Sequence, residues 1–152
     1  MSTPRFKARD KRSTQASAAM AQAAAQAMID AHLQALAPLR VVANGGARSA
    51  VDALDALADY SAGMRAIAPA EAIFMATLIL GGCTRWGISQ AVGCRPGTVS
   101  DRVAADPTAS RIAAARGCDL TQLDDGSWRV STRRSGPAAA TRPRKPLPRQ
   151  EL

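Results

Sequence analysis

The sequence predicts a mostly α-helical fold that carries a compact pair of short helices and a small C-terminal β-hairpin, with a basic segment at each end. Three observations predict it. Hydrophobic residues make up 47% of the 152-residue chain but aromatic residues only 3%, and alanine fills much of the difference, so the core must come from close packing of small side chains on helices. Capping residues, glycines and prolines punctuate residues 17–116 at helix-length intervals. The segment CDLTQLDDGSWRVS, residues 118–131, then breaks the pattern with alternating apolar residues around an Asp-Gly turn.

Taken in order, residues 1–15 are polar and basic, with Phe6 as the one candidate anchor. So little apolar surface cannot offset the entropy of ordering the backbone, which predicts a flexible basic arm. Residues 16–62 form an Ala-rich helical region suited to oligomerisation. Its first helix runs from Ser17 to about Ala37 and stops at Pro38, with Met28 or Ile29, Leu33 and Leu36 on one face. His32 lies on this helix without a carboxylate or thiol nearby in sequence, and carries no functional weight. Asn44-Gly45-Gly46 is a breaker; no strand precedes it and no Gly-Lys-Ser/Thr follows, so it reads as a turn and not a phosphate cradle. Ser49 caps a second helix to about Tyr60, in which Val51, Leu54, Leu57 and Tyr60 recur every third residue while Asp52, Asp55 and Asp59 occupy a solvated face.

Residues 63–132 form the next unit. After a break at Ser61-Ala62-Gly63, Pro69 opens a helix through Leu80 that is apolar on most sides and therefore central to a core. Two short helices follow within Thr84 to Ala104, TRWGISQAVGCRPGTVSDRVA. Thr84 caps the first, Gly93 sits just past its last apolar residue, and Ile88, Val92, Val99 and Val103 supply an inner seam. The second helix begins either at Pro96, a favoured first position, or at Val99, where Thr98-Val99-Ser100-Asp101 fits a capping box. Asp106-Pro107 closes it, and a further helix from Thr108 or Ser110 runs to Gly117 with Ile112 inward. The hairpin around Asp125-Gly126 pairs Leu123 with Trp128 and Thr121 with Val130, all four on one face. Residues 133–152 carry four prolines with five arginines and one lysine, a disordered Pro/Arg-rich tail.

Charge is distributed unevenly. Of the net +8, residues 1–15 contribute +4 and residues 129–152 contribute +6, leaving the middle at −2. Basic ends of this kind suit a polyanion. Within the acidic middle, residues 83–116 are the exception, with five arginines against two aspartates.

The capping hydroxyl, the apolar residue four on, the small Ser89, the run Val92-Gly93-Cys94 and the pair Thr98-Val99 together resemble the helix-turn-helix family of bacterial and phage regulators. The resemblance covers about a seventh of the chain. It implies a second helix lying in the major groove of double-stranded DNA, with the first crossing the backbone. Arg95, Pro96, Gly97, Thr98, Ser100 and Asp101 are then the base-facing candidates, with Arg95 leading as a bidentate guanine contact, and Thr84, Arg85 and Gln90 face phosphate. Asp101 either accepts from cytosine or holds Arg102. The hairpin so close behind resembles a wing, although its acidic turn would be repelled by phosphate and better suits bracing the core.

These readings give a sequence-specific DNA-binding protein, a bacterial or phage transcriptional regulator acting as a homo-oligomer, with a dimer favoured because one motif reads too little DNA. The alternative is a DNA-recognition and packaging component like a phage small terminase subunit. No catalytic constellation, cofactor or metal site is evident: one histidine, and Cys83, Cys94 and Cys118 without paired spacing. The longest strongly apolar piece, Ala72 to Leu80, is too short to span a bilayer and no signal peptide opens the chain, so a cytoplasmic protein with no membrane partner is expected.

Overall fold

The structure, a computed structural model, describes residues 4–131. The tail expected over 133–152 lies outside the described residues. The described residues form five α-helices and one two-stranded antiparallel sheet: α1 (Lys11–Ala43), α2 (Ala50–Leu80), α3 (Arg85–Val92), α4 (Pro96–Ala105), α5 (Pro107–Ala114), a short 3-10 turn (Gly117–Asp119), β1 (Leu120–Gln122) and β2 (Trp128–Val130).

The first two helices are longer than the sequence predicts. Asp10 moves the start of α1 forward to Lys11, because its carboxylate accepts from the Ser13 amide at 2.9 Å and from the Ser13 hydroxyl at 2.7 Å. Pro38 does not end the helix, which continues to Ala43 and closes on Asn44 and Gly45, the latter at φ +80°. Likewise α2 runs unbroken from its Ser49 cap to Leu80, through both Gly63 and Pro69. The break expected at residues 61–63, which would divide the chain into two regions, is absent. Gly63 serves packing: a Cβ there would lie 2.8 Å from the Ala35 Cα. The Ser17 hydroxyl donates to the Thr77 carbonyl at 2.7 Å, and with Ala35 facing Gly63 this makes α1 and α2 antiparallel arms of one helical hairpin. Continuity also makes α2 long and apolar enough, by length and composition, to cross a membrane, which the shorter pieces expected from the sequence were not.

The arm expected to be flexible is ordered from Pro4 onward. It runs alongside the end of α2, with the Lys7 amide donating to the Gly82 carbonyl at 2.7 Å, the Thr84 amide to the Arg5 carbonyl at 2.8 Å, and an antiparallel bridge between Phe6 and Cys83. Backbone pairing substitutes for the apolar anchor that the composition lacks, since Phe6 itself stays exposed.

One core sits at this end of the molecule. Leu80 and Val99 are fully buried, and Met75, Ile79, Ile88, Val103, Ile112 and Leu120 are nearly so, joined by Ala16, Ala72, Ala76, Ala109 and Ala115. Helix α5 starts at Pro107 behind an Asp106 cap and ends at Ala114, short of Gly117. The β-hairpin exists, but its register is one residue from the expected one: Leu120 faces Val130, Thr121 faces Arg129 and Gln122 faces Trp128. The reason lies in the turn. Three residues, Asp124-Asp125-Gly126, form the loop, with Gly126 at φ +83° and the Leu123 amide donating to the Ser127 carbonyl at 2.8 Å. The one-residue slip turns β1 over relative to β2, so Leu120 joins Trp128 and Val130 on the core while Thr121 is exposed.

Candidate nucleic-acid interface

The α3–α4 pair is held by caps that the sequence carries locally. Thr84 accepts from the Gly87 amide at 3.0 Å and so starts α3. Gly93, at φ +74°, turns the chain out of the helix while its amide still donates to the Ser89 carbonyl at 2.9 Å. Ser89 is fully buried and its hydroxyl donates to the Trp86 carbonyl at 2.7 Å, so a small residue with an internal partner sits where the helices approach. Ile88, Val99 and Val103 form the expected seam, but Val92 does not: it is 48% exposed. The left-handed turn at Gly93 carries Cys94 inward instead, where it packs against the core.

Helix α4 begins at Pro96 and not at Val99, which settles the alternative left open by the sequence. Proline suits the first position because its absent N–H is one the helix could not use. Arg95 is the N-cap residue but supplies no side-chain cap, leaving the N-terminus of α4 open, with Arg95, Pro96 and Gly97 all exposed. Asp101 on the next turn is exposed as well, while Thr98 and Ser100 are half-buried and the Ser100 hydroxyl points back to the Pro96 carbonyl at 3.4 Å. On α3, Arg85 and Gln90 are exposed. Neither Arg85 nor Arg95 has an ion-pair partner among the described residues. Their guanidinium groups project from a surface whose nearest helix terminus is positively polarised, an arrangement that attracts an anion.

Two expected contact residues are engaged elsewhere. The Thr84 hydroxyl donates to the Pro4 carbonyl at 2.8 Å, so its hydrogen is committed to holding the arm. Arg102 pairs with Glu71 on α2 at 2.6 Å and not with Asp101. Arg102 thus reaches across to α2 and links the pair to the core helix.

Sequence reasoning missed the arm as part of this surface. Its backbone crosses α3 so closely that a Cβ on Gly87 would lie 2.8 Å from the Arg5 carbonyl oxygen. The arm therefore sets Arg5 and Lys7, both exposed, beside the start of α3, whereas Arg9 is drawn to the Ile79 carbonyl at 3.3 Å. The signal was available in Gly87, a helix-interior glycine with no local purpose.

Elsewhere, no three His, Cys, Asp or Glu side chains converge among the described residues as metal ligands would. Burial pushes the Cys83 thiol up from its ordinary range, which makes it less reactive. No protein-family model, curated protein or solved structure matches this chain.

Proposed function

We propose that this chain binds double-stranded DNA in a sequence-specific way, with α3 and α4 acting as a helix-turn-helix and α4 entering the major groove, in the role of a transcriptional regulator. One observation carries the reading. The α4 N-terminus is exposed, uncapped by any side chain and flanked by the unpaired Arg95, and it is mounted rigidly on the core through Val99 and Val103. In that pose Arg95 reaches base edges while Arg85, Gln90 and the arm's Arg5 and Lys7 meet phosphates on the flank. The hairpin turn, with Asp124 and Asp125 exposed, is held away from phosphate by its charge and works as a brace.

Selection of bound duplexes from a random pool at physiological salt tests this directly. Enrichment of one sequence is expected, and Arg95→Ala should weaken binding to it by about 1–3 kcal/mol and relax preference at one base pair. Equal enrichment and affinity with Arg95→Ala would remove that residue from the interface. Failure of any sequence to enrich would remove the function.

A further inference from the structure

The far half of the α1–α2 hairpin holds its large apolar side chains outside. Ile29, Leu33 and Leu36 on α1 and Leu54, Leu57 and Met64 on α2 are between 40% (Met64) and 64% (Leu54) exposed. The seam between the two helices uses other, smaller residues: Ala24 and Ala35 on α1, Ala56 and Gly63 on α2.

The exposed residues are not scattered. On α1 they follow steps of four and three; on α2, counting Ser61, they follow steps of three, four and three. That is the spacing of a coiled-coil seam. Advancing about 100° per residue from the shared seam, and allowing for the opposite direction of α2, places both stripes on the same side of the hairpin. At its base this side opens into a groove of about 400 Å³ lined by Ile29, His32, Leu33 and Phe74 among others. Six large apolar side chains gathered on one side of the hairpin mark an interaction surface and not scattered exposure.

We infer that this face is covered by a second copy of the same chain, the two hairpins packing through their outer stripes into a four-helix bundle about a two-fold axis. Two antiparallel hairpins with heptad-spaced outer seams are self-complementary in this way. The chain's own C-terminal segment is a poor cover: in residues 132–152 the large apolar residues are Leu147 and Leu152 alone, among prolines and arginines. A bilayer surface is disfavoured by charge, because the polar side of α2 carries Asp52, Asp55 and Asp59 where membrane-surface helices carry Lys and Arg. Pairing here also leaves the α3–α4 surface of each copy free, since the stripes lie toward the opposite end of the hairpin. The inference stands without the DNA reading, as its test contains no DNA.

The test is the mass of the full-length chain by sedimentation equilibrium at micromolar concentration, expected to be twice the 15.8 kDa of one chain. Leu33→Glu and Leu57→Glu should each weaken self-association about 30-fold or more, while Asp55→Lys, on the polar side, leaves it unchanged. Both leucines are already wetted in the single chain, so circular dichroism should show the variants as helical as the parent. A single-chain mass, a ring of eight or more chains, undiminished association of both glutamate variants, or cosedimentation with neutral phospholipid vesicles in place of self-association would each overturn the inference.

Discussion

The two ends of the helical hairpin use similar composition in opposite ways. At the end bearing α3, α4, α5 and the sheet, the largest side chains are the most hidden: Leu80, Val99 and Leu120 are 0%, 0% and 2% exposed. Toward the loop at residues 44–49 the order is reversed, with alanines and a glycine between the helices and leucines in water. The first arrangement completes its own core. The second brings two backbones very close and leaves its large apolar groups for something else. Helix α2 belongs to both, so a single rigid element links a self-sufficient unit to an incomplete one, and the first unit also carries the exposed Arg85 and Arg95.

The contrast can be broken by mutation. The largest effect is expected for Leu80→Ala, which opens a cavity at a site with no exposure and should cost about 2–5 kcal/mol in denaturant unfolding. Leu57→Ala, of identical chemistry, should stay within about 0.5 kcal/mol when measured at concentrations where the chain is single. Equal losses at the two sites would mean that the far half also has a private core.

An intermediate effect separates two glycines of the α3–α4 surface. Nothing lies within 4 Å of the point where a Cβ on Gly97 would sit, so Gly97→Ala should raise stability by up to about 1 kcal/mol through helix propensity. Gly87→Ala should lower it, because the new methyl meets the Arg5 backbone and must push the arm aside. Thermal melts check the signs, and amide exchange at Lys7 and Thr84 reports the arm. Faster exchange at those amides is expected in Gly87→Ala alone.

The smallest effect is confined to acid. Hydrogen bonds from the Ser13 hydroxyl and amide hold the Asp10 carboxyl below the usual range. A carboxyl lowered in the folded state contributes stability above its unfolded pKa, and that contribution fades as pH falls through the folded value. Asp10→Asn keeps a capping oxygen and should flatten the stability profile below about pH 4 relative to the parent. An unchanged slope there would remove Asp10 as a source of acid sensitivity.

Much of the α3–α4 surface was legible because its determinants are local. Thr84 as a cap, Gly93 in the left-handed turn, and Ile88, Val99 and Val103 as the seam each depend on residues within one or two turns. Local chemistry narrowed even the start of α4 to two positions, and Pro96 prevailed because Thr98 remained in the helix's first turn, its amide donating to the Arg95 carbonyl at 3.0 Å. Val92 and the partner of Arg102 were misread for a common reason: each depends on a group distant in sequence, namely the core beside Cys94 for the first and Glu71 for the second, and the bond from the Thr84 hydroxyl to the Pro4 carbonyl was hidden in the same way.

By itself, then, the sequence determined that the chain is mostly helical, where α3 meets α4, and that a hairpin follows near Asp125-Gly126. Only tertiary structure decided that α2 passes through Gly63 and Pro69, that the arm is ordered, which face of the hairpin is inward, and that two leucine stripes stand in water. Caps and turn glycines act through energies settled within a few residues. Helix continuity, strand register and burial are settled by contacts across the chain, such as Ala35 on Gly63 or Arg5 on Thr84, and these can overrule a local preference of a few kcal/mol.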